Sequence, residues 1–166
     1  MSGVSVGPST IDDVAAIRAI YAHYVSETPI SFETEIPDEA EMERRFKAIA
    51  TLGLPYLAAR SESGELTGYA YAGRYRERRA YENSVEVTVY TAPQHQRQGV
   101  GRALYETLLS DLHVLGKHAA FAAITLPNDA SVGLHEAVGF TPVGVFREVG
   151  FKFGRWHDVG WWQRLI

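Results

Sequence analysis

The sequence contains no cysteine among its 166 residues and no long apolar run. Without cysteine, the chain can form no disulfide bond, no thiolate metal site and no covalent cysteine intermediate. No segment approaches the roughly 20 apolar residues that a membrane span requires. Residues 1–8 also lack the basic stretch and apolar run of a signal peptide. We therefore expect a cytoplasmic protein that does not bind membranes.

Basic residues are in the minority, with 16 Lys and Arg against 20 Asp and Glu and a formal net charge of −4. Proteins that bind nucleic acids need clustered Lys and Arg, because the release of counterions from phosphates supplies most of the affinity. The densest basic stretch, residues 74–79, carries four arginines but is interrupted by Tyr75 and Glu77. This pattern favours a local anion site over a nucleic-acid-binding face.

Apolar residues are abundant, at 46% of the chain, which is enough for a buried core. Turn residues are spread evenly, and the chain has no repeat, low-complexity tract or linker. A chain of this length fits one domain. We therefore predict a single domain over residues 1–166.

Hydrophobic periodicity predicts four helices and at least six strands. The helices are predicted over residues 11–25, 38–53, 102–115 and 131–138. The strands are predicted over residues 56–60, 66–75, 84–91, 119–126, 140–146 and 156–162. The run 119–126 is almost entirely apolar, which predicts a strand buried on both faces. The strand–helix–strand unit over residues 84–126 predicts a parallel pair, so the fold class is a mixed α/β (α+β) sheet covered by helices.

One junction carries the clearest chemical signal. A Val-rich strand ends at residues 89–91, and a loop with Gly99 and Gly101 leads into the third helix. The start of a helix has unpaired N–H groups and partial positive charge, and glycines allow a phosphate to approach that backbone. Arg97 and Arg102 can add charged hydrogen bonds. The junction predicts a pyrophosphate site, although two glycines also fit a turn into an ordinary surface helix.

Two other phosphate-binding patterns fit this junction less well. The Gly-x-Gly-x-x-Gly pattern of dinucleotide-binding folds would need a third glycine at Leu104. The Walker pattern would need Gly-Lys followed by Ser or Thr, which this sequence lacks.

The sequence Gln96-Arg97-Gln98-Gly99-Val100-Gly101 resembles the Gln/Arg-x-x-Gly-x-Gly/Ala signature of the GNAT superfamily of acetyltransferases. Residues 128–140, from Asn128 through a short helix to Gly139-Phe140, resemble the next conserved segment of that superfamily. The resemblance implies the GNAT fold, with a mixed sheet of about six to seven strands and about four helices. It also implies acetyl-CoA as the donor in an N-acetyltransferase reaction.

A closer resemblance, to the phosphinothricin N-acetyltransferases, extends over nearly the whole chain. It is carried by residues 30–35, 80–90 and 149–160. It implies acetylation of the α-amine of a small amino acid or analogue, such as phosphinothricin, methionine sulfoximine or methionine sulfone. Members of this family are usually dimers, so we expect a homodimer. The acceptor types also imply a role in herbicide resistance.

The catalytic candidates are Glu86 and His135. An α-amine is mostly protonated at pH 7, so a nearby carboxylate must take its proton, directly or through water, before it attacks a thioester. Glu86 lies in an otherwise β-branched strand, where Glu is depleted, but it could equally be a solvent-facing residue. The resemblance assigns it as the general base. Many superfamily members have a Tyr at the position of His135, whereas the phosphinothricin-type enzymes have a His there. His135 is either the acid that protonates the leaving thiolate or a positioning group.

The resemblance also implies a set of binding residues. The acetyl-CoA-binding candidates are Val89, Tyr90, Thr91, Gln96, Arg97, Gln98, Gly99, Val100, Gly101, Arg102 and Asn128, with a backbone N–H near Val89 as the oxyanion donor. The acceptor-binding candidates are Phe32, Arg76, Arg78, Tyr81 and Thr88. Asn128 could instead be a turn residue, and Arg76 and Arg78 could be solvated. Lys152 and His157 fit either a substrate contact or dimer packing.

No arrangement of His with acidic residues at helical spacing predicts a metal site, so we expect no metal. Two other functions stay open. A polypeptide acetyltransferase would need an open groove, whereas the Phe32 loop and the tail motif predict a closed pocket. A non-catalytic acyl-CoA-binding regulatory module would have lost the base, whereas Glu86 is present.

Overall fold

A computed structural model describes residues 3–166 and shows one mixed sheet of seven strands. The strands are β1 (Ser5–Pro8), β2 (Tyr56–Arg60), β3 (Leu66–Arg74), β4 (Ser84–Thr91), β5 (Ala119–Leu126), β6 (Thr141–Lys152) and β7 (Arg155–Leu165). Their order in the sheet is β1-β2-β3-β4-β5-β7-β6. β4 and β5 are parallel, as predicted, and every other neighbouring pair is antiparallel.

Four α-helices cover the two faces of the sheet and confirm the predicted class. They are α1 (Val14–Glu27), α2 (Glu39–Thr51), α3 (Val100–Val114) and α4 (Asp129–Ala137). The predicted start of α2 is confirmed, because the Asp38 side chain accepts a hydrogen bond from the Glu41 N–H at 2.8 Å. α3 begins two residues earlier than predicted because Gly99 adopts the left-handed conformation at its N-cap, with φ of 82°. None of the helices in residues 3–166 is both long and apolar enough to cross a membrane.

The alternation of side chains along β4 gives the sheet two different faces. Val85 and Val87 are buried against α3 in the larger core, which also contains Leu104, Leu108 and Leu112. The intervening side chains of Glu86, Thr88 and Tyr90 therefore point to the opposite face. α1 and α2 cover that face through a second core of Ile17, Tyr24, Met42, Tyr69 and their neighbours. The predicted active-site face is thus the one beneath α1 and α2.

The structure corrects three sequence predictions. β1 was missed because it is a four-residue edge strand that contains Gly7 and Pro8 and pairs only with β2. The last two strands form a much longer hairpin than predicted, with turn residues Phe153 and Gly154 at positive φ. β5 is not buried on both faces, because Ala123 is exposed and Phe121 is half-buried. Its second face borders an open groove.

Gly68 on β3 provides a test of how the sheet holds the start of α3. A Cβ at this position would lie 2.9 Å from both the Tyr90 carbonyl oxygen and Val100 Cγ1. We expect Gly68→Ala to lower the free energy of unfolding by about 1–3 kcal/mol, because backbone and core would have to shift. Chemical denaturation measures this loss.

Gly7→Ala is the matched control, because it is also a strand glycine but no atom lies within 4 Å of its added Cβ. Equal stability changes in the two variants would contradict the proposed close approach at Gly68.

Candidate active site

β4 and β5 part in the middle of the sheet. Their parallel pairing runs only from Ser84↔Ala119 to Glu86↔Phe121, whereas β4 stays paired with β3 as far as Thr91. Beyond Glu86, the edge of β4 that faces β5 therefore has no strand partner. A cleft of about 180 Å³ opens there, and its lining includes Glu86, Thr88, Val89, Tyr90, Asn128 and His135. Six predicted site residues thus meet in one cleft.

Glu86 is half-buried in this cleft, and its carboxylate has no hydrogen-bond partner within residues 3–166. Burial raises its pKa above the usual value for a glutamate, and the positive charge of Arg76 offsets part of this effect. A carboxylate with a raised pKa and no competing partner is suited to accept a proton near neutral pH.

His135 is 4% exposed and uses both of its ring nitrogens. Nδ1 lies 2.7 Å from the Ser131 carbonyl oxygen, which can only accept, so Nδ1 carries the proton. In the neutral ring, Nε2 then accepts from the Tyr105 hydroxyl at 2.7 Å. Burial lowers the pKa of His135, although its hydrogen bond to Ser131 opposes this shift. The structure therefore holds a neutral His135 that orients Tyr105, which also lines the cleft.

The loop between β4 and α3 forms a cradle at one end of the cleft. Arg97 and Gly99 have positive φ values of 59° and 82°, and the loop then enters the first turn of α3. The N–H groups of that turn have no partners within the helix, so they can bind an anion. Arg102 is an exposed residue of this first turn, and its guanidinium bonds Glu106 one turn further along α3.

The remaining residues of this loop have structural contacts. The side-chain amides of Gln96 and Gln98 donate to the Tyr24 hydroxyl and the Gln94 carbonyl. Val100 is buried in the core, and Gly101 lies against Leu134. The Tyr24 hydroxyl also bonds the Thr91 carbonyl, so α1 is tied to the loop. These contacts fix the backbone that would surround a phosphate.

Asn128 serves as the N-cap of α4. Its side-chain oxygen accepts from the Ser131 N–H at 3.1 Å, which satisfies the turn interpretation of this residue. The NH2 group of the same side chain takes no part in this cap and lies at the edge of the cleft. Asn128 can therefore cap the helix and donate to a ligand at the same time.

A groove of about 500 Å³ adjoins the cleft on the α1 side. Phe32 lines it together with Ile30, Tyr90, Ala123 and Val159. Thr88 lies on β4 and lines the cleft, whereas Arg76, Arg78 and Tyr81 lie on the connection between β3 and β4, where Arg76 stacks on Tyr75 and Tyr81 contacts the same ring. Arg78 is exposed in this connection. The structure thus places Phe32 on one side of Glu86 and the arginines at the start of its strand.

Lys152 resolves a question that the sequence left open. Lys152 is 5% exposed, and its ammonium group donates to the carbonyls of Val25, Thr28 and Ser31 at 2.6, 2.9 and 2.7 Å. Burial lowers its pKa, and the negative charge of Glu33 opposes the shift. His157 in turn donates to the Lys152 carbonyl at 2.9 Å. Lys152 therefore holds the end of α1 and the Phe32 loop in place.

Sequence reasoning missed the contribution of Tyr105. It occupies an apolar position of the α3 pattern and is fully buried, so its spacing indicated only core packing. Its hydroxyl becomes notable only because the fold brings it to His135, 30 residues away. The groove beside Ala123 was missed because its apolar lining resembles a buried strand.

Among residues 3–166, no group of three or more His, Asp and Glu side chains could hold a metal ion.

The chain matches the acetyltransferase (GNAT) domain over residues 9–161. It is 42% identical to phosphinothricin N-acetyltransferase of Streptomyces viridochromogenes, over 97% of this chain and 87% of that protein. It is 38% identical to L-methionine sulfoximine/L-methionine sulfone acetyltransferase of Salmonella typhimurium, over 91% and 88%.

A solved structure shows the same fold with a ligand. The crystal structure of a GNAT superfamily phosphinothricin acetyltransferase from Sinorhizobium meliloti, in complex with AcCoA, matches with a TM-score of 0.96. It is 36% identical and covers 100% of this chain and 89% of its own.

Lys152→Met tests the role of the buried ammonium group in the Phe32 loop. The substitution leaves three carbonyls without their charged donor, so we expect a loss of about 1.5–3 kcal/mol in the free energy of unfolding. We also expect faster hydrogen exchange in a peptide covering residues 26–34. Lys47→Met is the control, because Lys47 is an exposed residue of α2. Unchanged exchange in the Lys152 variant would refute this role.

Proposed function

The chain belongs to the GNAT acetyltransferase family, and from this premise we propose that Glu86 is the general base for acetyl transfer to the α-amine of a small amino acid or analogue. We propose that residues 1–166 act as one N-acetyltransferase domain in the cytoplasm, with phosphinothricin or methionine sulfoximine as acceptor types and resistance to such compounds as the role. The observation that carries the proposal is the half-buried, unpartnered Glu86 carboxylate in the cleft where β4 leaves β5.

The residues of the cleft suit acetyl-CoA, which supplies the acetyl thioester when bound. The unpaired edge of β4 at Val89 offers backbone groups to the pantetheine amides, and the Asn128 amide lies opposite. The cradle formed by Arg97, Gly99 and the first turn of α3 suits a pyrophosphate. A backbone N–H near Val89 can donate to the thioester oxygen as negative charge develops there.

The protons of the reaction can be assigned to residues of this chain. Glu86 accepts the first proton from the ammonium group, directly or through water, and passes it to solvent. As the new N–C bond forms and the C–S bond breaks, the amine loses a second proton and the thiolate leaves with one. The proton that the amine loses reaches the thiolate through solvent, while buried Tyr105, whose hydroxyl donates to His135, has a positioning role in the wall of the cleft.

The acceptor carboxylate or phosphinate would meet Arg76 and Arg78. A guanidinium binds such groups through two parallel hydrogen bonds. Arg76 also lies close enough to Glu86 to act on its charge. An acceptor bound there would have its α-amine directed toward the base, with Phe32, Thr88 and Tyr81 around it.

Thiol release from acetyl-CoA tests the base and the acceptor class together. We would assay free amino acids, phosphinothricin, methionine sulfoximine, methionine sulfone, polyamines and peptides. We expect turnover of the amino-acid analogues, and a fall in kcat of about 10²–10⁴-fold for Glu86→Gln. Because the pKa of Glu86 is raised, kcat/KM should fall as the pH drops through a value above the usual glutamate range.

Glu62→Gln is the control, since Glu62 is an exposed carboxylate in the turn between β2 and β3. Full activity in Glu86→Gln would exclude Glu86 as the base. Activity only on peptides would favour a polypeptide acetyltransferase. Binding of acetyl-CoA without turnover of any acceptor would favour a regulatory module.

We also propose that the protein is a homodimer that pairs through the β6–β7 hairpin. Apolar side chains of this hairpin are more than half exposed, namely Val143, Val145, Phe146, Val149, Phe151, Phe153 and Trp156. Several large apolar side chains exposed on one hairpin favour an interaction site there. A second copy is the simplest partner, because most soluble oligomers are symmetric homodimers.

Phe151→Asp tests the proposed pairing. Phe151 packs edge-on against Trp156 with ring centroids 5.1 Å apart, so a charge there should disrupt the exposed apolar face. We expect light scattering after gel filtration to show a dimer for the wild type and a monomer for the variant. Val114→Asp, on the exposed end of α3, should remain dimeric. A monomeric wild type would refute the proposal.

A further inference from the structure

A cluster of aromatic rings lies beside Glu86, and at its centre is Tyr75, which has no role in the reaction described above. The Tyr75 ring stacks on Phe121 of β5, with ring centroids 4.4 Å apart and an interplanar angle of 17°. Tyr81 and Trp161 contact the same ring edge-on, with centroids at 5.7 and 6.4 Å. Contacts from three separate segments of the chain therefore fix the position of the Tyr75 ring.

The register of the sheet places this ring on the same face as the base. Glu86 pairs with Gly73 on β3 and with Phe121 on β5. Tyr75 follows Gly73 by two residues, and side chains two positions apart in an extended chain point to the same side. Tyr75 therefore reaches from the end of β3 to Phe121 on the face that carries Glu86.

Arg76 lies over the Tyr75 ring. Its Cζ atom is 4.4 Å from the ring centroid, and its Nη1 donates to the Tyr75 carbonyl at 3.0 Å. The negative face of an aromatic ring attracts a guanidinium in this position. Within residues 3–166 no carboxylate forms a salt bridge with Arg76, whereas the neighbouring Arg74 is paired with Glu77 at 2.6 Å. Tyr75 thus holds Arg76, and most N–H groups of the guanidinium stay free for a ligand.

The placement of Arg76 also matters for the base. Burial raises the pKa of Glu86, and the charge of Arg76 offsets part of this rise. Tyr71 of β3 faces Glu86 as well, and Tyr105 and His135 line the same cleft. Burial raises the pKa of both tyrosines and lowers that of His135, so these three groups are neutral at neutral pH. Arg76 is the charged side chain among residues 3–166 that lowers the pKa of Glu86.

We propose that Tyr75 is a positioning residue for the acceptor, because its ring holds the Arg76 guanidinium beside Glu86, where the guanidinium meets the acidic group of the acceptor. This inference rests on the proposed function and adds a residue that acts through Arg76. A free arginine side chain has many rotamers, and binding a ligand must select one of them. A guanidinium that is already held on a ring loses less conformational entropy when the acceptor binds.

Steady-state kinetics with methionine sulfone and acetyl-CoA test this role. We expect Tyr75→Leu to raise the KM for the sulfone about three- to tenfold and to change kcat less, because Arg76 loses its support on the ring. Tyr75→Phe keeps the face of the ring and its stacking on Phe121. It should therefore retain the KM and the Tm of the wild type.

A double-mutant cycle distinguishes positioning from a general loss of stability. If Tyr75 acts through Arg76, Tyr75→Leu should change kcat/KM by less than about twofold once Arg76→Met is present. Arg74→Met provides the matched cycle, because Arg74 is bonded to Glu77 and not to the ring. In that background Tyr75→Leu should keep its full effect.

The pH dependence of kcat/KM gives a second readout. The base must be deprotonated, so kcat/KM falls as the pH drops through the pKa of Glu86. When the charge of Arg76 moves away, the pKa of Glu86 rises further. We therefore expect the acidic limb of Tyr75→Leu to lie at higher pH than that of the wild type, and the limb of Tyr75→Phe to be unchanged.

A ring analogue keeps the test decisive if Tyr75→Leu does not fold. Pentafluorophenylalanine at position 75 retains the shape of a phenyl ring, but its fluorines remove the negative charge from the face of the ring. Relative to Tyr75→Phe, we expect this protein to show a KM for methionine sulfone that is about two- to fivefold higher. An unchanged KM would overturn the proposal.

The remaining outcomes separate this inference from the proposed function. A folded Tyr75→Leu protein with the KM and acidic limb of the wild type would overturn the positioning role and keep the proposed function. Additive losses in the cycle of Tyr75 with Arg76, or wild-type kinetics in Arg76→Met, would also overturn it. Failure of the wild type to acetylate any amino-acid acceptor would overturn the proposed function, and this inference with it.

Discussion

The site depends on the point where β4 and β5 stop pairing. Parallel strands satisfy each other's backbone groups, and a buried strand edge without a partner is costly. After Glu86, β4 keeps β3 on one side and has no neighbour on the other. The exposed edge is stable because it faces a cleft that is open to solvent and to a ligand. The next helix, α3, also begins at this end of the strand. A ligand that supplies amide groups along this edge completes the sheet.

The sequence predicted much of this arrangement, because the relevant signals are local. The alternation of Val85 and Val87 with Glu86 and Thr88 predicts the two faces of β4, and Gly99 and Gly101 predict a turn into α3 at this point. Periodicity predicted α1 and α3, which each bury an apolar stripe, whereas α2 and α4 were predicted from residues at their ends, such as Asp38 and Gly139. β1 lacked such a signal, because four residues at a sheet edge bury too little to leave a pattern.

The features that sequence reasoning missed all depend on contacts between distant segments. The sequence indicates only that Lys152 is a charged residue near the C-terminus. In the structure it is buried against carbonyl groups of residues more than 120 positions earlier in the chain. Tyr105 reads as core, yet its hydroxyl meets His135. A cavity of about 340 Å³ beneath α1 and α2 gathers tyrosines from α1, β2, β3 and β4, whose spacing in the sequence has no common period. Only strand order and register bring such groups together.

The two faces of β4 separate the demands of donor and acceptor. The donor cradle is built from backbone groups and from α3, whose position is fixed by core contacts such as Val100 and Leu104 against Gly68. The proposed acceptor side consists of side chains on the opposite face and of the Phe32 loop, which Lys152 holds in place. In the proposed arrangement, single side-chain substitutions on one face would change the acceptor preference and leave the donor cradle intact. This separation gives a physical reason why one fold can serve many different amines.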